Sequence, residues 1–591
     1  MHTYHIPVLG LGYSIDTPLK VARYGISSVV SIVDDDLTER MRQHHCRQNG
    51  LPFHTIGKSH RDYRAERIAA YLNLLNDLVA RQFDAIKRQQ FYTGSDLDKY
   101  FDLLPDDSQL KQGYELMREF TEQPQRDIFE RLLREAMVCG SIDVNIMTKV
   151  DKMNLDTNGQ MISDNHTDAL LALRGFAESN LSSSVVLSAG PNQRLFAYLE
   201  NFTDFYPDHK GIIKKRIILK VSDYRSALIQ AKLLAKRGIW VSEFRIESGL
   251  NCGGHAFATD GLLLGPILEE FKQNRESLAT ELFDVYKEAL KSKGMTNMVM
   301  PKQRISVQGG IGTAEEHRFL LKYYNLDAAG WGSPFLLVPE ATNVDENTLS
   351  HLVNASHSDF YTSNASPLGV LFNNFRKSTA HQQRLERISK GRPGSPCTKK
   401  LLVNNTEFTD TPICTASRQY QALKIAHLKG LDLPDEELQK QIDVVTEKLC
   451  LCEGLCTSAY IKNDILQPKE DSAVVICPGP NIAFFSNTYT LAEMTGHIYG
   501  RNNLLHNIHR PHVFINELKL YIDYLKKLAE NVTGADNKQL KYIQKFRDQL
   551  ISGIGYYKQM FAELAETTLA ELTTTINELT SAEYQLAGHA E

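Results

Sequence analysis

The stretch IESGLNCGGHAFATDG, Ile246 to Gly261, sets His255 directly behind Gly253 and Gly254, with Cys252 before them and an apolar run upstream. An imidazole suits proton transfer because its ordinary pKa of about 6.5 lets it take and give a proton near neutrality. Glycines beside it let the backbone pass close to a flat ligand. A lone histidine is more often structural, but on a glycine loop behind a strand it becomes a candidate acid/base. Cys252 reads as a small buried residue rather than a nucleophile.

Two further stretches carry phosphate chemistry. In QGGIGTAEE, Gly309, Gly310, Ile311 and Gly312 precede Thr313, which opens a helix. Free N–H groups and the dipole at such a helix start attract an anion. GWGSPFLL adds N–H groups at Gly332 and Ser333 and the serine hydroxyl. Either turn alone signals little; the two together point to a phosphate.

Cysteines form a third set. Of nine, six lie between Cys397 and Cys477, three of them in EKLCLCEGLCTSAYI. Thiols clustered in Gly/Pro-flanked loops without a secretion signal suggest a metal centre, an iron–sulfur cluster ahead of zinc. The favoured ligands are Cys414, Cys450, Cys452 and Cys477, with Cys397 nearby. The spacing matches no ferredoxin or paired-zinc pattern, so scattered free thiols are the competing reading. Cys46 and Cys139 are bystanders.

Position for these groups must come from the elements around them. Short apolar runs recur at His5–Gly12, Ser27–Val33, Ser141–Met147, Ser183–Gly190, Arg216–Ser222, Gly238–Glu247, Arg304–Gly310 and Leu326–Gly332, with helix-like segments between most of them. Strands alternating with helices predict a parallel sheet, and eight strands favour a closed (β/α)8 barrel over an open doubly wound sheet. In a barrel the loops after the strands build the site, and that is where the chemical residues fall: Asn145 on the third strand, Ala189-Gly190 after the fourth, Lys220 on the fifth, His255 after the sixth.

The expected organisation is 1–36 as the start of the barrel, 37–140 as a helical insertion, 141–345 as the rest of the barrel, 346–480 as a cysteine-rich extension and 481–591 as a helical C-terminal region. In the insertion, Ile68, Leu72, Leu75, Val79, Phe83 and Ile86 recur at helical spacing. A helical insertion capping one barrel end is the expectation. FINELKLYIDYLKKLAENV and MFAELAETTLAELTTTINEL predict C-terminal helices, the last with an apolar stripe for the body or for a second copy in a homo-oligomer.

The bulk properties narrow the class. The 591 residues exceed one ordinary domain, and 42% hydrophobic with 23% charged residues fits a globular enzyme. A net charge of −5 implies no nucleic-acid or membrane partner. No apolar run approaches the roughly eighteen residues of a transmembrane helix. The start MHTYHIPVLGLG lacks a basic n-region, so a cytoplasmic protein acting on a small molecule is expected.

The segment IILKVSDYRSALIQAKLLAKRGIWVSEFRIESGLNCGGH resembles the middle of the nitronate monooxygenase family, formerly called 2-nitropropane dioxygenases, in which a lysine-bearing strand leads to an AGGH motif. IPVLGLGYSIDTPLKVARYGISSVVSI, IDVNIM, SSVVLSAGPN, VQGGIGTAEE and GWGSPFLLVPEA resemble its other strands in order. The similarity covers about Met1 to Asp36 and Ser141 to Ala341, and flavin-type enoyl-ACP reductases share the same barrel and motifs.

The resemblance implies FMN, with Gly309, Gly310, Ile311, Gly332 and Ser333 at its phosphate. Asn145 and Lys220 would face the ring or ribityl chain, Gly253 and Gly254 would border it, and His255 would be the acid/base. It implies an FMN-dependent oxidoreductase of a small organic or acyl-type substrate; enoyl-thioester reduction with NAD(P)H is the alternative. Ala256-Phe257 replaces the glycine that commonly follows the family motif, and Cys252 stands where alanine is usual. A non-redox phosphate-binding barrel and a non-catalytic subunit of a biosynthetic assembly are the further alternatives.

Overall fold

The computed structural model describes residues 1–154, 162–188, 190, 192–256, 260–296, 298–505, 508–530, 537–563, 577 and 580. Eight parallel strands close into a barrel in sequence order: β1 Tyr4–Ile6, β2 Ser27–Ser31, β3 Ile142–Ile146, β4 Ser184–Leu187, β5 Arg216–Val221, β6 Val241–Glu247, β7 Arg304–Gln308 and β8 Ala328–Gly330. Closure is made by β8 on β1, with Tyr4 opposite Ala329 and His5 opposite Gly330. All eight strands fall inside or, for β1, overlap the apolar runs of the sequence. Ala189, expected to end the fourth run, lies outside the described residues.

Alternation along each strand sorts the side chains into two sets. Val30, Val185, Ile217, Phe244 and Val307 join the large core between barrel and helices. Their neighbours Val29, Val186 and Ile218 form a small separate cluster, which is the barrel interior. The same inward parity on β6 gives Glu243, Arg245 and Glu247, so much of this interior is ionic. Arg245 donates from Nε and Nη2 to Glu243 Oε1 at 2.9 and 2.8 Å, and Ser306 Oγ donates to the same oxygen at 2.6 Å. Burial opposes ionisation of Glu243, yet Arg245, Arg304, His5 and Ser306 together hold its carboxyl down to about 2. A charge at this depth persists only because it is paired.

The amphipathic helix read from the sequence is Tyr63–Lys87. It does not cap the barrel end. It lies along the flank against the helix Asp168–Glu178, where Gly175 permits the approach: a Cβ there would stand 2.7 Å from Ile68 Cγ2. This is the place of the β2–β3 crossover helix, and shorter helices at Asp35–Gln48, Asp96–Asp102, Gln109–Glu119 and Gln123–Ala136 surround it.

After β8 the chain makes a two-stranded hairpin, Phe360–Ser363 with Phe372–Phe375, and several helices. The C-terminal helices Val513–Glu530 and Asn537–Glu563 pack on the helix Leu264–Gln273 that follows β6. Most of the last predicted helix lies outside the described residues.

Candidate active site

The strand ends at the C-terminal mouth of the barrel carry a polar ring. Lys220 of β5 pairs with Glu247 of β6, Nζ to Oε2 at 2.8 Å, and Gln308 of β7 donates from Nε2 to Glu247 Oε1 at 2.7 Å. Asn145 on β3 shares the inward parity of buried Asp143 and is itself buried. The structure thus brings Asn145 and Lys220 to one rim, and adds Glu247 and Gln308, which sequence reasoning missed. The signal was present: Glu243, Arg245 and Glu247 alternate with Phe244 and Ile246, a pattern of one charged and one apolar strand face.

The loop after β6 turns sharply at Asn251, Gly253 and Gly254, with φ of +38°, +123° and +77°. Asn251 Oδ1 accepts from the Gly253 N–H at 2.9 Å and from Asn373 Nδ2 at 2.8 Å. Gly253 is needed for a protein contact rather than a ligand contact, since a Cβ there would come within 2.4 Å of the Cys477 carbonyl oxygen. The Gly254 N–H donates to that same carbonyl at 2.9 Å. Gly254 has open space at its Cβ position and is held to glycine by its φ alone. Of the two glycines expected to border a ring, Gly253 therefore admits the extension's backbone and Gly254 does not.

That backbone positions His255. The Asn373 N–H donates to the Gly254 carbonyl at 2.9 Å and the Ala256 N–H to Leu371 at 2.8 Å, pinning the loop to the hairpin on both sides of the histidine. The imidazole meets the edge of Phe372 at 5.3 Å between centroids, and Nε2 shares a 2.7 Å hydrogen bond with Ser366 Oγ. Burial, then the charges of Lys149 and Lys220, lower its pKa to about 4. His255 is thus neutral at physiological pH, not poised at 6.5. Lys149, just after β3, is itself shifted down by burial and by Lys220. The charges of Lys149 and Lys220 thus both act on this imidazole. Phe257, the family departure noted in the sequence, lies outside the described residues.

Next to the loop after β6 are the tips of β7 and β8, with Gly309 and Gly310 against Asn251 and Leu250. Arg510 Nη2 donates to the Gly310 carbonyl, and Asn481 Nδ2 donates to the Ile311 carbonyl at 2.8 Å. Because a peptide unit is planar, drawing the Gly310 oxygen outward turns the Ile311 N–H the other way. The N–H groups of Gly310, Ile311, Gly332 and Ser333 have no acceptor among the described residues, and all four residues are buried. Unpaired buried amides are uncommon, so the four on these two adjacent strand tips are the candidates for binding an anion. The Gly309 N–H is turned to the Cys252 sulfur. Ser333 Oγ donates to the Cys252 carbonyl at 3.0 Å and accepts from the Gly479 N–H at 2.7 Å, so its amide rather than its hydroxyl is available. The helix start at Thr313 is occupied by the chain itself: Glu316 accepts from the Gly312 N–H at 2.8 Å and pairs with Arg510 at 2.6 Å. The fit to a flavin phosphate therefore rests on the strand tips, not on that helix.

Cys252 is buried against Gly332, and burial pushes its thiol well above the usual range, as expected for a structural residue. The four expected metal ligands are not assembled as one set. Among the described residues, no group of three or more His, Cys, Asp or Glu is arranged to hold a metal ion. Cys477 sits under the His255 loop, its carbonyl taken by Gly254 and its buried thiol pushed up to about 12. Cys414 instead lines, with Cys397, a cavity in the extension. The sequence spacing that grouped Cys477 with the others could not show that its segment runs to the barrel mouth.

A cavity of about 1590 Å3 opens beside the rim, between residues 149–154 after β3 and the extension. Leu368, Leu401, Leu402 and Val403 give it apolar wall; Lys149, Lys152, Lys400 and Arg418 give it positive charge. It reaches the histidine region through Lys149 and through Leu368, whose N–H donates to Ser366 Oγ at 3.2 Å.

No family model matches this chain, and no curated protein matches it. Among solved structures it is similar to FabK from Thermotoga maritima, at 13% identity and a TM-score of 0.30, covering 69% of this chain and 85% of that one. It is also similar to the enoyl reductase domain of MlnA from the macrolactin biosynthesis cluster of Bacillus amyloliquefaciens, at 14% identity and a TM-score of 0.29, covering 73% and 87%. At such values the barrel and its site rest on this chain's own geometry. No described helix is long and apolar enough to cross a membrane.

Proposed function

We propose that this chain is an FMN-dependent oxidoreductase that reduces an activated double bond in an acyl-type substrate, with NAD(P)H as electron donor. One observation carries the reading: four amides without an acceptor among the described residues lie at the tips of β7 and β8, at the same end of the barrel as Lys220 and the His255 loop. Bound FMN would supply hydride transfer, its phosphate held by the amides of Gly310, Ile311, Gly332 and Ser333.

The protein's own part is electrostatic and positional. Lys149 and Lys220 stabilise negative charge as it develops on the substrate carbonyl oxygen. Lys149, with its pKa lowered, releases a proton to the carbon more readily than an ordinary lysine. Neutral His255, fixed by Ser366 and Phe372, orients the reacting group and excludes water from that side. The size of the cavity and its apolar wall favour a long acyl chain over a small nitronate, which would use little of the space.

The test uses the purified full-length protein reconstituted with FMN under anaerobic conditions. Bleaching of the flavin by NAD(P)H and recovery of its colour with an enoyl thioester support the proposal. Oxygen consumption with a nitronate and no response to NAD(P)H would transfer the assignment to nitronate oxidation. Protein that binds no flavin would remove the redox reading altogether.

A further inference from the structure

The turns at the tips of β7 and β8 are held from outside the barrel, by the segments around Gly479 and Arg510. Arg510 spreads its guanidinium over three partners. Nη2 donates to the Gly310 carbonyl, Nε to Asn481 Oδ1 at 2.9 Å and Nη1 to Glu316 Oε1 at 2.6 Å. Asn481 in turn donates from Nδ2 to the Ile311 carbonyl at 2.8 Å, and Glu316 Oε2 accepts from the Gly312 N–H at 2.8 Å. The Arg510 and Glu316 side chains are only 2% and 3% exposed. Gly312 is small to admit them, since a Cβ there would stand 2.4 Å from Arg510 Nε. On β8 the Gly479 N–H occupies Ser333 Oγ at 2.7 Å, and that hydroxyl donates to the Cys252 carbonyl at 3.0 Å.

Two consecutive peptide planes are fixed in this way. The unit joining Gly310 to Ile311 is held at its oxygen by Arg510. The next, joining Ile311 to Gly312, is held at its oxygen by Asn481 and at its N–H by Glu316. A planar trans peptide points its N–H and its carbonyl in opposite directions, so fixing the Gly310 oxygen fixes the line of the Ile311 N–H. That N–H is one of the four without an acceptor among the described residues. A donor already aimed loses little freedom when its ligand arrives, and binds more tightly for it. The charge of Arg510 is matched by Glu316 in a buried pair, so what the arginine contributes is its planar, three-way fork rather than net charge.

We infer that Arg510 and Asn481 are positioning residues for the flavin phosphate, acting through the Gly310 and Ile311 carbonyls to hold the 310–312 turn in the conformation that presents its amides. This role presupposes the flavin reading above. It makes retention of the cofactor's phosphate a property of the extension as well as of the barrel: with either side chain gone, the turn is free to rotate its peptide planes and the amides lose their common aim.

The test titrates the full-length protein, Asn481→Ala and Arg510→Lys with FMN and with riboflavin in the visible spectrum, alongside urea denaturation of each. Asn481→Ala leaves the Arg510–Glu316 pair in place. Arg510→Lys keeps a positive charge beside Glu316 and loses the fork. The unaltered chain should prefer FMN by roughly 100-fold and each variant by roughly tenfold or less, with riboflavin affinity unchanged. A preference that survives intact in either variant overturns the role. So does an equal loss for both flavins together with a lower urea midpoint, which marks a contribution to folding only. An unaltered chain that binds both flavins equally removes the flavin-phosphate reading itself, a result distinct from a preference that is present and indifferent to the two substitutions.

Discussion

His255 Nε2 lies 2.7 Å from Ser366 Oγ, joining the loop after β6 to the hairpin of the extension. The His255 imidazole is therefore oriented by a part of the chain that lies outside the barrel. Replacing Ser366 with Ala removes that hydrogen bond while the ring contact with Phe372 remains. The expected result is roughly a tenfold fall in kcat with flavin affinity unchanged, against a fall of about 10²-fold or more for His255→Ala. Steady-state kinetics and flavin titration of the two variants check this; equal losses in both would mean that Ser366 does more than orient.

Lys149 lowers the His255 pKa by its charge, after burial has done the larger part. Lys149→Met should let that pKa rise from about 4 toward 6.5, by about half a unit or more. The acid limb of any pH profile governed by His255 should then move to higher pH. Histidine NMR titration of the variant reads the shift directly, and a fall in the pKa would contradict the site geometry.

Acid stability gives a third test. His317 is buried, with Nδ1 accepting from the Trp331 indole at 3.2 Å and Nε2 bonded to Thr3 Oγ1 at 2.9 Å, and burial brings its pKa to about 4. A histidine with a depressed native pKa favours folding fully above the unfolded value of about 6.5, and that stability is lost as pH falls from 6.5 toward 4, at up to about 1.4 kcal/mol per pH unit. His5, His497 and His512 are also depressed by burial and act in the same direction. Glu517, raised by burial to about 7, acts oppositely, since its native form gains protons between about 7 and 4.5. The histidines outnumber it, so the urea midpoint should drop between pH 7.5 and 5.5, and drop less in His317→Gln. A midpoint that rises on acidification would contradict the assignment.

Glu517 also ties the C-terminal helix to the barrel. Its carboxylate accepts from the Gly249 N–H and the Leu264 N–H, both at 2.7 Å. Glu517→Ala leaves two buried donors unpaired and should cost about 2–4 kcal/mol, while Glu517→Gln keeps one acceptor and should cost about half as much. Denaturation curves decide it; identical losses would show that only one of the bonds matters.

Much of the barrel was legible because each strand is a short apolar run bounded by turn residues, and eight such runs in order leave few arrangements. The candidate residues Asn145, Lys220 and His255 were legible because they fall at strand ends. The glycines misled in part: Gly253 is small for the sake of the Cys477 carbonyl, and a sequence does not say whether a ligand or a backbone fills the space beside a glycine. Ser366, Phe372, Asn481 and Arg510 reach the mouth from positions more than a hundred residues beyond the His255 motif, with no local pattern to mark them. The cysteine grouping failed for the same reason, because separation along the chain hid the turn of Cys477 toward the barrel.

The central claim is that unpaired amides at the tips of β7 and β8 grip a flavin by its phosphate. Titration of the purified protein with FMN and with riboflavin, followed in the visible spectrum, tests it most directly. The account predicts one FMN per chain and binding of riboflavin weaker by roughly 100-fold, the loss of about two charge-assisted hydrogen bonds. Equal affinity for the two flavins, or no binding of either, would contradict it.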